Sequence, residues 1–231
     1  MKDNKREDVF GKSVCKTVFS KGEVDYSLYL VTDSGLMTTA TIEECVEQGI
    51  QGGCTVVQLR ESDASSLAFY QKAVSLREIT ARLGVTFIVN NRVDIALAVC
   101  ADGVHIGQND LPYRVVREIL GPDQLIGVSC NNVSEAKEAQ EAGADYIGVG
   151  AMFSTGTKTN TRPVTIQGLK EIRRAVSIPI VAIGGIHGEN IALLEGTGID
   201  GVAVVSAIVA QQDIGKAAKE MKEKVEKVVR R

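Results

Sequence analysis

Eight short runs of apolar and β-branched residues recur along the chain, separated by segments with a different hydrophobic pattern. Each run is continuous rather than alternating between apolar and polar positions, which is typical of parallel strands covered on both faces. The pattern predicts strands at residues 28–32, 55–59, 86–89, 103–106, 125–128, 146–149, 180–183 and 202–205.

The intervening segments have helical periodicity, and several of them end on a glycine, the usual C-terminal stop of a helix. The predicted helices include residues 41–51, 65–83, 133–142, 166–176 and 190–195, and the glycine stops are Gly49, Gly84, Gly121 and Gly143. Eight strands alternating with helices predict an α/β fold, a single (β/α)8 TIM barrel. A doubly wound open sheet is the alternative, but the eight regular units and the lack of GxGxxG after the first strand argue against it.

The chain divides into a short extension and one domain. Residues 1–25 precede the first predicted strand, and their apolar positions predict either one amphipathic helix covering the bottom of the barrel or a disordered segment. Residues 26–231 form the predicted barrel, because no linker interrupts them. The charged stretch 216–231 is interpreted as the solvated face of the last helix, with basic residues favoured at its C-terminal end.

Composition and charge narrow the class of protein. The 231 residues are 44% hydrophobic and 24% charged, a globular composition. No apolar run reaches the ~18 residues of a membrane helix, and the net charge of −3 predicts no general affinity for nucleic acid or membrane surfaces. The five cysteines are odd in number, widely spaced and without CxxC, which argues against a disulfide framework or zinc site. Together with the lack of a signal peptide, this predicts a cytoplasmic protein.

Polar residues concentrate directly after the predicted strands, where a TIM barrel carries its active site. Those after the second to fifth strands are Gln58, Arg60, Glu61, Asn90, Asn91, Arg92, Gln108, Asp110 and Ser129. Asp110, with Asn91 opposite, offers oxygen ligands of the kind that hold Mg²⁺ beside a phosphate. His105 lies inside the fourth strand, so a histidine satisfied within the barrel is favoured over a catalyst.

Two further segments suit phosphate groups. Gly184 and Gly185 after the seventh strand, with Ser206 after the eighth, occupy the common phosphate position of this fold, although tight turns alone would explain the glycines. The loop 154–162 carries five hydroxyls with Lys158 and Arg162 and no acidic residue, which suits a second anion; a solvated polar loop is the alternative.

The rim residues resemble thiamine phosphate synthases. The resemblance runs in order from about residue 26 to residue 214 and rests on the segments LYLVTD, VVQLRE, FIVNNRVDIA, ADGVHIGQND, IGVS, GADYIGVGAMFSTGTK, IPIVAIGGI and GVAVVSAI. It implies a transferase that joins hydroxymethylpyrimidine pyrophosphate to a thiazole monophosphate, with Mg²⁺ as cofactor. The implied partners are these small molecules, with neither nucleic acid nor membrane, and a homo-oligomer remains open.

The resemblance also implies a role for each matching residue. Arg60, Ser129 and Lys158 are the implied catalytic residues: pyrophosphate leaves first, Arg60 and Lys158 stabilise its charge, and Ser129 orients the pyrimidine. The metal ligands are Asn91 and Asp110. The implied substrate-binding residues are Gln58, Leu59, Arg60, Glu61, Ser62, Asn90, Ser129, Thr155, Gly156, Thr157, Lys158, Gly185, Val205 and Ser206.

Two residues depart from the family pattern. Ser62 stands where the family usually has lysine, and Asn91 where it usually has aspartate. We therefore predict weaker binding of metal or pyrophosphate, but not a lost reaction. Two alternatives remain: a thiazole tautomerase of the same barrel type, disfavoured by Cys130-Asn131-Asn132 where that enzyme carries a histidine, and a non-catalytic barrel that binds thiamine phosphates.

Overall fold

The eight predicted strands form a closed parallel barrel. The computed structural model describes residues 21–155 and 163–229, and each strand pairs in parallel with the next, with β8 closing on β1. The strands are β1 Leu28–Val31, β2 Val56–Leu59, β3 Thr86–Asn90, β4 Gly103–Ile106, β5 Leu125–Cys130, β6 Tyr146–Val149, β7 Ile180–Ile183 and β8 Gly201–Val204. The (β/α)8 prediction is therefore confirmed.

The described residues contain eight α-helices: the first six connect successive strands from β1 to β7, and the last two follow β8. They are α1 Ile42–Gln51, α2 Ser66–Leu83, α3 Val93–Ala98, α4 Tyr113–Leu120, α5 Val133–Glu141, α6 Ile166–Ala175, α7 Ser206–Val209 and α8 Ile214–Val228. Hydroxyl, amide or carboxylate side chains cap five of them by accepting a backbone N–H: Thr41, Ser65, Asn132, Thr165 and Asp213. The helix predicted over residues 190–195 is instead a short 3₁₀ turn, Ile191–Leu194, because Gly196 in left-handed conformation follows it closely.

The core has two layers. The larger one lies between the strands and the surrounding helices and is aliphatic, with Leu59, Phe87 and Ile126 fully buried in it. The smaller layer fills the inside of the barrel and contains three tyrosines, Tyr26, Tyr29 and Tyr146. Both faces of every strand are thus enclosed, which explains the continuous apolar runs in the sequence.

The same set of hydrogen bonds occurs three times at the lower end of the barrel, which is the end where the strands begin. Asp102, Asp145 and Asp200 each precede an even-numbered strand, and each Oδ2 accepts one backbone N–H from the preceding strand and one hydrogen bond from a helix arginine. The donor pairs are Phe87 N (2.8 Å) with Arg77 (3.0 Å), Ile126 N (2.8 Å) with Arg117 (2.6 Å), and Ile180 N (2.8 Å) with Arg173 (3.0 Å). Each aspartate therefore ties two strands and a helix together.

The predictions for the N-terminal segment, the cysteines and membrane helices have different outcomes. Residues 1–20, with the predicted N-terminal helix or disordered segment, lie outside the described residues. The cysteine pattern argues against a disulfide framework, and Cys45, Cys54 and Cys130 are indeed free, and buried. Cys100, however, is disulfide-bonded; a single bridge leaves no repeated cysteine spacing from which a sequence could predict it. Within residues 21–155 and 163–229, no helix combines the length and hydropathy that crossing a membrane requires.

Candidate active site

A cavity of about 400 Å³ opens at the C-terminal end of β2 to β5. Its lining comes from the last residues of β3 and β5, from the loops that follow β2, β3 and β4, and from the start of α2. The lining residues are Arg60, Glu61, Ser62, Ala64, Phe69, Asn90, Asn91, Arg92, Gly107, Asp110 and Ser129. The structure thus brings seven of the predicted site residues to one cavity, and they reach it from four separate strands.

Arg60 is held by its backbone and leaves its guanidinium facing the cavity. The buried Thr32 hydroxyl accepts a hydrogen bond from Arg60 N (3.0 Å) and donates to Arg60 O (3.2 Å), which fixes the chain just after β2. The Arg60 Nη1 atom lies 3.5 Å from Asp33 Oδ2, at the outer limit of a hydrogen bond. The guanidinium therefore keeps donors for an anion in the cavity.

Glu61 is engaged by a neighbouring lysine. Its side chain is only 6% exposed, its Oε2 accepts from Lys72 Nζ on α2 at 2.5 Å, and its Oε1 accepts from Ser34 N at 3.2 Å. The Lys72 ammonium is therefore neutralised by Glu61. Ser62, beside it in the lining, offers only a hydroxyl, so the charge of the usual family lysine is not supplied at this position.

The two predicted metal ligands both line the cavity, and each has a side-chain oxygen that could bind a metal ion. Asn91 has a left-handed backbone with φ 59°, a conformation that asparagine tolerates well. Asp110 is oriented by its loop, since its Oδ2 accepts Gly107 N at 2.7 Å. In the described part of the chain, no cluster of three His, Cys, Asp or Glu side chains could hold a metal. The pair fits Mg²⁺, which takes one or two protein oxygens together with phosphate oxygens and water.

The other predicted phosphate contacts lie on a neighbouring part of the rim. Thr155, Gly185, Val205 and Ser206 follow β6, β7 and β8 and do not line the cavity. Gly185 has φ 64°, and a Cβ there would lie 2.4 Å from the Ser154 carbonyl oxygen, so the close approach of the two loops requires glycine. Gly156, Thr157, Lys158 and Arg162 lie outside the described residues.

Below the cavity, polar side chains continue into the barrel. Gln58 is 5% exposed and donates to the Tyr29 hydroxyl, while His105 Nε2 lies 2.9 Å from Ser129 Oγ. His105 is thus satisfied inside the barrel, yet it also contacts a predicted site residue. Leu59 points into the outer core and is fully buried, so its side chain does not reach the cavity.

Comparisons with known proteins show the family of this chain. The family model described as thiamine monophosphate synthase matches residues 28–208. The chain is 58% identical over 203 residues to the thiamine-phosphate synthase of Ruminiclostridium cellulolyticum, covering 88% of this chain and 97% of that protein. It is 55% identical to that of Clostridium botulinum, covering 90% and 98%.

The chain belongs to the thiamine monophosphate synthase family. Among solved structures, the thiamine phosphate pyrophosphorylase of Pyrococcus furiosus superposes with a TM-score of 0.82 at 39% identity, over 89% of this chain and 98% of that one. The match to the family model, over residues 28–208, covers every strand of the barrel and the rim loops that carry the cavity. Family membership and the transferase class predicted from the sequence are therefore confirmed.

Two residues close to the site, Tyr29 and Tyr146, are not among the site residues that the sequence predicts. Both stand in runs whose pattern indicates a buried strand, and both are 1% exposed in the structure. Their hydroxyls nevertheless join a polar layer beneath the cavity. A buried tyrosine hydroxyl needs a partner, and this is the one signal that could have indicated such a layer.

Proposed function

We propose that this protein is a thiamine phosphate synthase: it transfers the pyrimidinylmethyl group of hydroxymethylpyrimidine pyrophosphate to the nitrogen of a thiazole monophosphate and releases pyrophosphate. The observation that carries the proposal is the single cavity that gathers Arg60, Asn90, Asn91, Asp110 and Ser129 from four strand ends. This set combines a cation, metal-binding oxygens and neutral hydrogen-bonding groups. A pyrophosphate attached to a polar aromatic ring requires that combination.

The chemistry follows from the charge of the leaving group. The bond between the pyrimidine methylene and pyrophosphate breaks first, and the electron-rich aminopyrimidine stabilises the resulting cation. The thiazole nitrogen then donates its electron pair to the methylene carbon, so that no bond to the enzyme is formed. Arg60 stabilises the charge that develops on the leaving pyrophosphate. Lys158, by resemblance, acts on the same group.

A magnesium ion bound by Asp110 and Asn91 would neutralise part of the pyrophosphate charge and so favour its departure. Asp110 is suited to hold such an ion because Gly107 N already fixes one of its oxygens at 2.7 Å. Ser129 and Asn90 orient the pyrimidine, and the rim residues Thr155, Gly185, Val205 and Ser206 hold the thiazole phosphate. Alignment of the two substrates supplies much of the remaining rate enhancement.

The decisive experiment measures pyrophosphate release by the purified protein with both substrates and Mg²⁺, and with each component left out in turn. A synthase releases pyrophosphate and forms thiamine phosphate only when all three are present. Consumption of the thiazole phosphate without pyrophosphate release would instead indicate a tautomerase. Binding of thiamine phosphate with no turnover in any mixture would indicate a non-catalytic barrel and refute the proposal.

Two finer expectations accompany the proposed activity. The protein is expected to work in the cytoplasm, where the small-molecule precursors of a cofactor are made, and localisation of a tagged full chain would test this. The second expectation concerns a homo-oligomer, and light scattering of the purified protein would show whether one forms. Neither expectation affects the chemistry proposed for the cavity.

A further inference from the structure

Five polar side chains form one continuous chain of hydrogen bonds inside the barrel, directly below the candidate active site. Gln58 Nε2 donates to the Tyr29 hydroxyl (2.7 Å), which lies 2.8 Å from the Tyr146 hydroxyl. The Tyr146 hydroxyl lies 3.1 Å from His105 Nδ1, and His105 Nε2 lies 2.9 Å from Ser129 Oγ. Branched aliphatic residues usually fill this space in a TIM barrel, so the polar layer requires an explanation.

Two glycines make room for this hydrogen-bond chain. A Cβ on Gly127 of β5 would lie 2.1 Å from Tyr146 Cζ and 2.5 Å from His105 Nδ1, which no real side chain could do. A Cβ on Gly148 of β6 would lie 3.0 Å from His105 Cε1. The phenol and the imidazole therefore occupy space that the neighbouring strands leave open, and the polar layer is built into the barrel.

The hydrogen-bond chain has a direction, because its first group, the Gln58 amide nitrogen, can only donate. The Gln58 amide nitrogen has no lone pair to offer, so the Tyr29 oxygen accepts. Among the described residues, the Tyr29 hydrogen then has only the Tyr146 oxygen to bond, and the Tyr146 hydrogen has only His105 Nδ1. Burial raises the pKa of both tyrosines far above the usual value of 10.0, so both keep their hydrogens at neutral pH.

The direction of the hydrogen-bond chain fixes the tautomer of His105 and the role of Ser129 at its end. With Nδ1 accepting, the neutral imidazole carries its hydrogen on Nε2 and donates it to Ser129 Oγ. The serine hydrogen is then left to bond a group outside the chain, and Ser129 lines the cavity. We propose that the chain from Gln58 to Ser129 fixes the tautomer of His105 and makes Ser129 a hydrogen-bond donor to the substrate, with Tyr146 and His105 as positioning residues.

This inference rests on the proposed function for the identity of the acceptor. A pyrimidine ring nitrogen has a lone pair and no hydrogen, so it pairs with a serine that donates and not with one that accepts. Were the His105 tautomer reversed, Ser129 would donate its hydrogen to Nε2 and offer the ring only lone pairs. The tautomer thus controls whether the pyrimidine is held in the orientation for reaction.

The tautomer can be measured directly and without activity. The protein contains only two histidines, His105 and His187, so labelling with ¹⁵N-histidine gives a simple spectrum. A His187→Gln variant assigns the signals. The shifts of Nδ1 and Nε2 distinguish the two neutral tautomers. We expect His105 to carry its hydrogen on Nε2. A wild-type His105 with hydrogen on Nδ1 would overturn the proposal, whatever the enzyme catalyses.

A matched pair of hydroxyl deletions tests the consequence for the substrate. Tyr146→Phe removes the donor that holds Nδ1 as an acceptor, so both tautomers become populated. Tyr26→Phe removes a hydroxyl from the adjoining ring, whose centroid lies 4.8 Å from that of Tyr146, and in the described residues this hydroxyl takes no part in the hydrogen-bond chain. We expect kcat/KM for the pyrimidine substrate to fall about tenfold or more in Tyr146→Phe, with KM for the thiazole phosphate changed less than about twofold.

The outcomes of these experiments distinguish a failure of the positioning inference from a failure of the proposed function. Equal effects of Tyr146→Phe and Tyr26→Phe, or an equal rise in KM for both substrates, would reduce the polar layer to a packing role and refute the inference. If Tyr146→Phe does not fold, Tyr29→Phe interrupts the same chain one step earlier and carries the same expectation. If the wild-type protein releases no pyrophosphate, the proposed function fails, while the ¹⁵N measurement still decides whether the chain has the stated direction.

Discussion

Replacing Arg77 by methionine should destabilise the barrel from its lower end. Arg77 Nη1 lies 3.0 Å from Asp102 Oδ2, and the Asp102 side chain is only 1% exposed. Methionine keeps most of the aliphatic volume but leaves a buried carboxylate without its counterion. Removing one partner of a buried ion pair costs about 3–5 kcal/mol. We expect the lower end of that range, about 3 kcal/mol, because the Arg77 side chain retains 15% exposure.

The loss should also depend on pH. Burial raises the pKa of Asp102 above its usual value of 3.8, whereas Phe87 N–H and Arg77 act to lower it. Without Arg77 the pKa rises further, and the native state then binds more protons than the unfolded state over a wider pH range above 3.8. The unfolding free energy falls with rising pH across that range. The deficit of Arg77→Met should therefore be larger at pH 7 than at pH 4.

Urea unfolding followed by circular dichroism measures both effects, provided that the m-value is unchanged. Arg82→Met is the control, because Arg82 pairs with Glu47 at the surface with side-chain exposures of 59% and 36%; we expect a loss below about 1 kcal/mol. Equal losses for the two variants, or a deficit of Arg77→Met that does not grow from pH 4 to pH 7, would refute the assignment of Asp102 as a buried, ion-paired carboxylate.

Three further predictions concern turnover. Asp110→Ala should nearly abolish pyrophosphate release, and Asp110→Asn, which still accepts Gly107 N, should also be strongly impaired; full activity of Asp110→Asn would exclude a metal role. Asn91→Asp should lower the Mg²⁺ concentration needed for half-maximal rate, and an unchanged Mg²⁺ titration would separate this residue from the metal. Gly185→Ala should raise KM for the thiazole phosphate. The control is Gly84→Ala, which has a similar φ (+68°) but open space around its Cβ, and it should lower only the unfolding free energy, by about 1 kcal/mol. Equal KM values for the two variants would contradict the phosphate-binding role of Gly185.

The strands and the rim could be predicted from the sequence because their signals are local. A run such as LYLV or YIGV is apolar on both faces, and parallel strands of a closed barrel need that property. Polar side chains directly after the strands then converge at one end by topology alone. Short helices escaped the same reasoning: α3 has six residues and α7 four, too few for a helical period to be visible.

The polar layer could not be predicted, for a related reason. When both faces of a strand are buried, the hydrophobic pattern does not say which residues point into the barrel and which toward the helices. Tyr29 and Leu30 both stand in β1 and are both fully enclosed, yet only Tyr29 belongs to the inner layer. The pairing of Tyr146 with His105 depends on register across neighbouring strands, which no single run encodes.

The two ends of the barrel therefore carry different kinds of polar group, with different consequences for substitution. Among the described residues, Asp102 Oδ1 is the one fully enclosed side-chain oxygen or nitrogen without a hydrogen-bond partner, and it lies at the lower end, where charge is balanced between helices and strands. The inner layer leaves no such atom, and its chain of donors ends at Ser129 in the cavity. A satisfied buried network costs little stability and fixes orientation. Substitutions that leave the layer paired but reverse its direction should accordingly change turnover more than unfolding free energy, and substitutions around Asp102 should do the opposite.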